Sequence, residues 1–339
     1  MGALLVEEWL GEGSSTAIVD EASVALVREE VRRVGREAGL REERLESLVV
    51  AASELAHNQL AHARGGRMRV AAVERDGVAG VEVTAADSGR GIADPSAALR
   101  GEVVSRTGLG AGLSAAYRMA DEMDFDIRLG EGTCAVARSF AAPQSRNEVA
   151  ILGRPCRGEL VSGDHAVFAR GRGLLMVAVC DGLGHGPAAR DASNRATSLV
   201  RSRAGDPPLS LLADCDRALR HTRGAALSIA HLDLARGELV HAGTGNIISH
   251  LYQGTEVRRG IGVARVLGAP SSGARMLEER WPLSERYLLA MFSDGLSSRL
   301  DLKGDLALRR QPPLVIAHEL IERFGQDHDD ATVAVARLG

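Results

Sequence analysis

Two apolar runs of the sequence end in an Asp-Gly pair. Residues 174–180 lead into Asp181-Gly182, and residues 287–292 lead through Ser293 into Asp294-Gly295. Short apolar runs bounded by glycine are typical of buried strands. A carboxylate is costly to bury alone, so the same arrangement in both places predicts that the two strands deliver acid groups to one site.

Two further aspartate positions extend this pattern. Asp164 closes the stretch Ser-Gly-Asp, and the pair Asp329-Asp330 precedes Ala-Thr. Hard divalent cations prefer oxygen ligands and need several acidic side chains that converge on one point. A glycine after an aspartate also leaves the next carbonyl free to act as a ligand. The sequence therefore predicts a cation site built from four separate segments.

Length and composition indicate two domains and exclude several classes of protein. The 339 residues are 45% hydrophobic and 25% charged, as in an ordinary globular protein, and we place domains at 1–140 and 148–339 with a linker at 141–147. No apolar run has the ~18 residues of a membrane span, and no targeting segment is expected. The net charge of −4 gives no footprint for nucleic acid, and four scattered cysteines favour a reduced cytoplasmic protein.

The basic residues exclude two common scaffolds for ATP chemistry. Of the 41 basic residues, all except Lys303 are arginine. A P-loop requires lysine in its G-x-x-x-x-G-K-[ST] motif, and the protein-kinase fold requires a strand lysine. Any use of ATP by this chain needs a different scaffold.

The hydrophobic pattern predicts an α+β protein. Before residue 141, it predicts helices over 21–39, 42–63 and 110–123 and strands over 67–73, 78–85, 125–129 and 133–140. After residue 147, strands are expected at 148–152, 165–170, 174–180, 226–232, 238–243, 246–251, 287–292 and 331–337. Helices are expected at 187–203, 208–221 and 313–324. This order favours two packed sheets covered by helices.

Three clusters in the first half carry chemistry suited to a nucleotide. Glu54 and Asn58 are four residues apart in a predicted helix and share one face. The stretch Asp87-Ser-Gly-Arg-Gly91 follows a strand, where a carboxylate can accept the amino group of a purine. Residues 107–113, Thr-Gly-Leu-Gly-Ala-Gly-Leu, open a helix whose free N–H groups can hold phosphates.

In this order, the three clusters resemble the GHKL ATP-binding superfamily, and most closely the small serine/threonine kinases of the RsbT class. The resemblance covers residues 15–140 and implies a GHKL (Bergerat) α/β sandwich that binds ATP and Mg²⁺. It implies that Glu54 is the general base, that Asn58 is a Mg²⁺ ligand and that Asp87 binds adenine. The glycines expected to shape the pocket are Gly89, Gly91, Gly108, Gly110 and Gly112.

The second half resembles the PPM family of metal-dependent serine/threonine phosphatases, in its SpoIIE and RsbX branch. The motifs that carry the resemblance are Pro155-x-x-Gly-Glu-x-x-Ser-Gly-Asp164, Asp181-Gly-Leu-Gly-His-Gly186, Ala242-Gly-Thr-Gly-Asn246, Ser293-Asp-Gly295 and His328-Asp-Asp-Ala-Thr332. The resemblance implies an α-β-β-α sandwich with Mn²⁺ or Mg²⁺ at its active site.

By this second resemblance, Asp181 bridges two cations, and Asp164, Asp294, Asp329 and the carbonyl of Gly182 complete the metal site. The adjacent Asp330 is the alternative to Asp329. His185 is expected to protonate the serine oxygen that leaves.

Together, the two resemblances imply a bifunctional kinase and phosphatase. Both activities are expected to act on a STAS-domain regulator in a bacterial partner-switching stress pathway that controls a sigma factor. A homodimer is one expectation, because this kinase class often dimerises. Two alternatives for the first half stay open, an anti-sigma factor and a nucleotide sensor that regulates the phosphatase. The residues Glu54, Asn58 and Asp87 serve ATP binding in all three cases.

Overall fold

The computed structural model describes residues 2–11, 13–102, 112–171, 173–270 and 275–339. The chain divides into two compact units, Met1–Glu148 and Val149–Gly339. Within the described ranges, no helix combines the length and the hydrophobicity needed to cross a bilayer.

The first unit contains an antiparallel sheet with the strand order β1-β2-β3-β5-β4. Its elements are α1 (Gly2–Leu10), β1 (Thr16–Ile18), α2 (Glu21–Glu37), α3 (Glu42–Asn58), a π-helical turn (Gln59–Ala63), β2 (Gly66–Arg75), β3 (Val78–Asp87), α4 (Pro95–Arg100), α5 (Gly112–Met119), β4 (Glu122–Arg128) and β5 (Gly132–Phe140).

Local sequence signals explain where these elements begin and turn. Asp20 caps α2 by accepting a hydrogen bond from the backbone N–H of Ser23 at 2.8 Å. The hairpin between β2 and β3 turns at Asp76 and Gly77, whose φ angles of 52° and 77° suit a type I′ turn.

Helix α1 packs on the sheet of the first unit. Its apolar side chains contact Ala86 of β3 and Cys134 and Val136 of β5. The indole N–H of Trp9 also donates a buried hydrogen bond of 2.6 Å to Asp126 of β4. This contact fixes α1 to β4.

The second unit is a sandwich of two β-sheets. Its elements are β6 (Asn147–Arg154), β7 (Asp164–Gly171), β8 (Leu174–Gly182), α6 (Pro187–Ser202), α7 (Pro208–Ala218), β9 (Ala225–Asp233), β10 (Glu238–Thr244), β11 (Ile248–Gln253), β12 (Glu256–Ile261), β13 (Glu278–Pro282), β14 (Tyr287–Phe292), α8 (Leu306–Arg309), α9 (Pro313–Phe324) and β15 (Ala331–Leu338).

Side chains that face alternate sides of each strand pack the two sheets of this unit against each other and against the helices. One sheet has the order β6-β15-β14-β11-β12 and the other the order β13-β10-β9-β8-β7. The core between them includes Val177 and Val179 of β8 and Leu289 and Met291 of β14. The intervening residues of β8 point outwards to α6 and α7, because successive side chains of a strand face opposite sides. The predicted α-β-β-α sandwich is confirmed.

One predicted helix is too long. The pattern predicted a helix over 110–123, but α5 ends at Met119 and β4 begins at Glu122. The carboxylate of Asp121 pairs with Arg44 at 2.6 Å and accepts the backbone N–H of Phe140 at 2.8 Å. These long-range contacts hold Asp121 between α5 and β4, so the helix ends before this residue.

Candidate functional site

The four predicted acidic segments come from both sheets of the second unit. Asp164 at the start of β7 stands opposite Asp181 near the end of β8 in the strand register. Asp294 follows β14, and Asp329 precedes β15, which pairs antiparallel with β14. The end of one strand and the beginning of the other therefore lie at the same edge of their sheet.

The electrostatics show that these carboxylates act on one another. Burial, followed by the charges of Asp294, Asp329 and Asp330, raises the pKa of Asp181 to about 8. Burial and the neighbouring Asp181 raise the pKa of Asp164 well above its usual range. Groups that repel each other in this way are stabilised by a cation placed between them.

Asp294 lies on the solvent-exposed side of this acidic cluster. Its side chain is exposed, yet partial burial and then the charge of Asp329 raise its pKa. The amide of Asn246 donates a short hydrogen bond to the Asp294 carboxylate. It also hydrogen-bonds to Asp181 and lowers the pKa of that residue. Asn246 thus holds two of the predicted ligands together.

The oxygen donors around Asp181 suit a hard divalent cation that retains part of its hydration shell. In the described part of the chain, no three histidine, cysteine or acidic side chains form a ready-made coordination group. Mg²⁺ is usually held by only one or two carboxylates and retains several waters, so it does not need such a group. The acidic cluster and the carbonyl of Gly182 offer oxygen donors of the kind that this cation prefers.

The glycines of the two Asp-Gly pairs are required by close packing. A Cβ atom on Gly182 would overlap the carbonyl oxygen of Ala189 in α6, and one on Gly295 would overlap the carbonyl oxygen of Asp330. Only glycine therefore lets the helix and the 329–331 segment approach the strand ends. This close approach is what places the acidic segments beside one another.

The structure distinguishes the roles of the two adjacent aspartates. Asp330 is buried, and its two carboxylate oxygens accept the backbone N–H groups of Cys156 and Gly163, each at 2.7 Å. Asp329 is only partly buried and receives one backbone hydrogen bond, from Asp330. Asp330 therefore braces two loops, and Asp329 keeps more of its carboxylate available to a ligand.

Further polar residues surround the acidic cluster. His185 is exposed, and its Nδ1 lies 2.6 Å from the carboxylate of Glu159. The hydroxyl of Ser293 donates to Asp164 at 2.6 Å. The roles of Glu159, Ser293 and Asn246 were not predicted, although all three stand within the quoted motifs.

The first unit brings Asn58 to the beginning of α5. Glu54 and Asn58 lie one turn apart on α3, and both are partly buried. A Cβ atom on Gly112, the first residue of α5, would lie 3.0 Å from the Asn58 side-chain oxygen. The predicted Mg²⁺ ligand therefore faces the helix that the glycine-rich stretch opens. Gly108 and Gly110 lie outside the described residues.

Asp87 occupies the end of β3. Its carboxylate accepts the backbone N–H of Gly89 at 2.8 Å, and burial raises its pKa. Gly91 has a φ of 74°, and a Cβ atom there would lie 3.0 Å from the carbonyl oxygen of Arg128. Gly89 itself packs closely against Ala63. The loop thus holds a partly buried acceptor with little space around its backbone.

Two sequence families match the chain. The family described as "Histidine kinase-like ATPase domain" matches residues 19–138, and "Stage II sporulation protein E (SpoIIE)" matches residues 171–339. Serine/threonine-protein kinase RsbT of Bacillus subtilis (strain 168) is 31% identical over 124 residues, which are 37% of this chain and 93% of RsbT. Phosphoserine phosphatase RsbX of the same organism is 29% identical over 90 residues, 26% of this chain, and the match spans only 45% of RsbX.

Solved structures give the same picture. A chain in the structure described as "The bacterial stressosome: a modular system that has been adapted to control secondary messenger signaling" is 29% identical, with a TM-score of 0.54 over 56% of this chain and 99% of that chain. RsbX, crystallised in complex with magnesium, shares the fold at 22% identity and a TM-score of 0.51, over 57% and 96% of the two chains. The chain therefore belongs to the family of histidine kinase-like ATPases that includes RsbT, and it also carries a SpoIIE domain of the PPM phosphatase fold.

Proposed function

We propose that the second unit hydrolyses phosphoserine and phosphothreonine in a protein substrate. The single observation that carries this proposal is the set of mutually repelling carboxylates around Asp181, whose pKa is raised to about 8. A bound divalent cation, Mn²⁺ or Mg²⁺, supplies a nucleophilic water at neutral pH and neutralises charge on a phosphoryl group. Asp181 would be a ligand of the bound cations.

The other residues of the cluster have supporting roles in this proposal. Asp164, Asp294, Asp329 and the carbonyl of Gly182 would complete the metal site. Asn246 orients the Asp294 carboxylate through its hydrogen bond. His185 is exposed beside Glu159, and a protonated imidazole there could donate a proton to the serine oxygen that leaves.

For the first unit, we propose ATP-dependent phosphorylation of serine or threonine. Glu54 would take the proton of the substrate hydroxyl, Asn58 would hold Mg²⁺, and Asp87 would accept the amino group of adenine. The 31% identity to the kinase RsbT supports this assignment, and so does the position of Asn58 against the start of α5. Both activities are proposed to control the phosphorylation of a STAS-domain regulator in a partner-switching pathway.

The proposal extends to the setting of the protein. Use of ATP and four buried free cysteines suit the cytoplasm, which we propose as its compartment. A homodimer is proposed through the kinase-type unit. In the alternatives, that unit binds a sigma factor, or senses nucleotide for the phosphatase without transferring phosphate.

Labelled ATP tests both activities in one experiment. The full-length protein is incubated with γ-labelled ATP and a STAS-domain protein, as wild type and as the variants Glu54→Gln and Asp181→Asn. The kinase proposal expects label on the STAS protein, its loss in Glu54→Gln, and its accumulation in Asp181→Asn. Exposed Glu43 on the same helix gives a matched control, Glu43→Gln, which is expected to behave as wild type.

The outcomes separate the alternatives. Nucleotide binding without label on any STAS protein, together with a change in the rate of dephosphorylation, would replace the kinase by the sensor. Retention of a sigma factor in place of phosphorylation would favour the anti-sigma factor. Dephosphorylation that survives both chelation and Asp181→Asn would overturn the metal-dependent mechanism.

A further inference from the structure

A cavity of about 610 Å³ opens beside the acidic cluster of the second unit. Asp181 and Asn246 form part of its wall, so the cavity is continuous with the proposed active site. The remainder of the lining is mostly apolar and includes Leu183, Ala264 and Val266, together with Arg265. Volumes of this order are typical of binding pockets.

The wall formed by residues 263–268 is held in place by backbone hydrogen bonds on both sides. On one side, Val263 accepts the N–H of Gly245 at 2.8 Å and donates to the carbonyl of Gly243 at 3.0 Å. On the other side, Leu267 and Ala225 exchange two hydrogen bonds, of 2.9 and 3.2 Å. The cavity is therefore formed before any ligand arrives.

Asp216 of α7 secures the same wall. Its carboxylate pairs with the guanidinium of Arg265 at 2.6 Å and accepts the backbone N–H of Gly268 at 3.0 Å. The charge of Arg265 is thus compensated within the protein. An occupant of this cavity meets apolar side chains and a neutralised cation.

Leu183 forms the exposed edge of the cavity. It follows Gly182 directly, its side chain is 53% exposed, and its backbone N–H is fixed by the carbonyl of Gly224 at 3.0 Å. A large apolar side chain held in water beside a catalytic site gains stability when a partner covers it. The partner that reaches this position is the substrate of the adjacent acidic cluster.

We propose that the cavity is a substrate subsite, which receives an apolar side chain within two residues of the phosphorylated serine or threonine. This inference rests on the proposed phosphatase function. A peptide advances about 3.3 Å per residue when it is extended. With the phosphate at Asp181, a neighbouring side chain therefore reaches the wall that Leu183 and Val266 form.

The experiment compares phosphoserine peptides that differ at one position. Leucine or alanine is placed at each of the two residues on either side of the phosphoserine, and kcat/KM is measured with the full-length protein and Mn²⁺. At one of these positions, the leucine peptide is expected to be preferred by about fivefold, because Leu183 at the edge of the cavity is exposed and the cavity covers only part of the side chain. Hydrolysis of p-nitrophenyl phosphate is measured in parallel.

Variants of the wall locate the preference. Leu183→Ala is expected to reduce the leucine/alanine ratio to about twofold, and Val266→Asp to bring it to one. A ratio compares two substrates on one protein, so a general loss of activity cancels. Leu306→Ala changes a side chain of matching exposure (54%) that does not line the cavity, and it is expected to keep the wild-type ratio.

Failure of this inference is distinguishable from failure of the proposed function. Cleavage of p-nitrophenyl phosphate with no preference for leucine at any position would overturn the subsite and leave the phosphatase intact. A preference that persists in both wall variants would also overturn it. If neither p-nitrophenyl phosphate nor any peptide is cleaved, the phosphatase function fails, and the subsite with it.

Discussion

Asp181→Asn is expected to stabilise the second unit when divalent cations are absent. The pKa of Asp181 is raised from its ordinary 3.8 to about 8, first by burial and then by the charges of Asp294 and Asp329. The folded state therefore keeps a proton that the unfolded state has lost between about pH 4 and pH 8. The free energy of unfolding falls as pH rises through this window and levels off above it.

The size of the effect follows from the pKa difference. One pKa unit corresponds to 1.36 kcal/mol, so the wild type loses roughly 2 kcal/mol by pH 5.5 and at most about 5 kcal/mol by pH 8. An asparagine has the shape of the carboxyl group and no charge, so the variant avoids this loss. For a domain of this size, 2 kcal/mol corresponds to an increase of about 4–8 °C in Tm.

Divalent cations are expected to offset part of this difference in stability. A cation that binds only the folded state at a hundred times its Kd stabilises the wild type by about 2.7 kcal/mol. The variant lacks the bridging carboxylate and gains much less. The gap in Tm between the two proteins should therefore narrow or close when Mn²⁺ is added at pH 8.

Fluorescence of Trp281 follows the unfolding of the second unit. The only other tryptophan of the chain, Trp9, is replaced by phenylalanine in all the proteins that are compared. Thermal unfolding is followed at pH 5.5 and pH 8 in chelator and in Mn²⁺. The matched control is Asp327→Asn, which changes a carboxylate that is 85% exposed. This variant is expected to have the wild-type Tm both in chelator and in Mn²⁺. A variant less stable than wild type in chelator, or equal stabilisation of both by Mn²⁺, would refute the reasoning.

Three further predictions concern single residues. Asp87→Asn should weaken ATP binding by at least about tenfold, because a charge-assisted hydrogen bond to adenine is lost. Titration with a fluorescent ATP analogue measures the affinity, and an unchanged affinity would show that Asp87 does not bind the nucleotide. Asn246→Ala should raise the Mn²⁺ concentration needed for half-maximal dephosphorylation about 10- to 100-fold, since Asp294 loses the amide that orients it; an unchanged Mn²⁺ requirement would contradict that role. Gly182→Ala should lower the free energy of unfolding by ~3 kcal/mol in urea titrations, because the new methyl group meets the backbone of Ala189. A variant as stable as the wild type would show that α6 can move away from the strand.

The strands that carry the predicted ligands could be predicted because their sequence signals are local. Asp181 and Asp294 each stand at the end of an apolar strand, so both could be predicted as candidate ligands without knowledge of their neighbours. The π-helical turn at Gln59–Ala63 also continues α3 over the predicted range to residue 63. Both family resemblances and the fold class are confirmed, whereas the assignment of each ligand stays a prediction.

What the sequence did not predict depends on contacts between distant residues. Asn246 and Asp294 are 48 residues apart, and nothing near Asn246 in the sequence indicates that its amide meets that carboxylate. The strands β12 and β13 lie at sheet edges, where charged residues replace the apolar alternation of central strands. Helix α1 was missed because its apolar residues form a short run, and their partners lie on β3 and β5.

Direct counting of bound Mn²⁺ tests the central claim, that carboxylates from separate strands of the second unit hold divalent cations around Asp181. Electron paramagnetic resonance of free Mn²⁺ is recorded while the ion is titrated into wild type and Asp181→Asn at pH 7.5, without nucleotide. Two ions are predicted to bind the wild type, with at least about tenfold weaker binding to the variant. Equal stoichiometry and affinity in the two proteins would contradict the account.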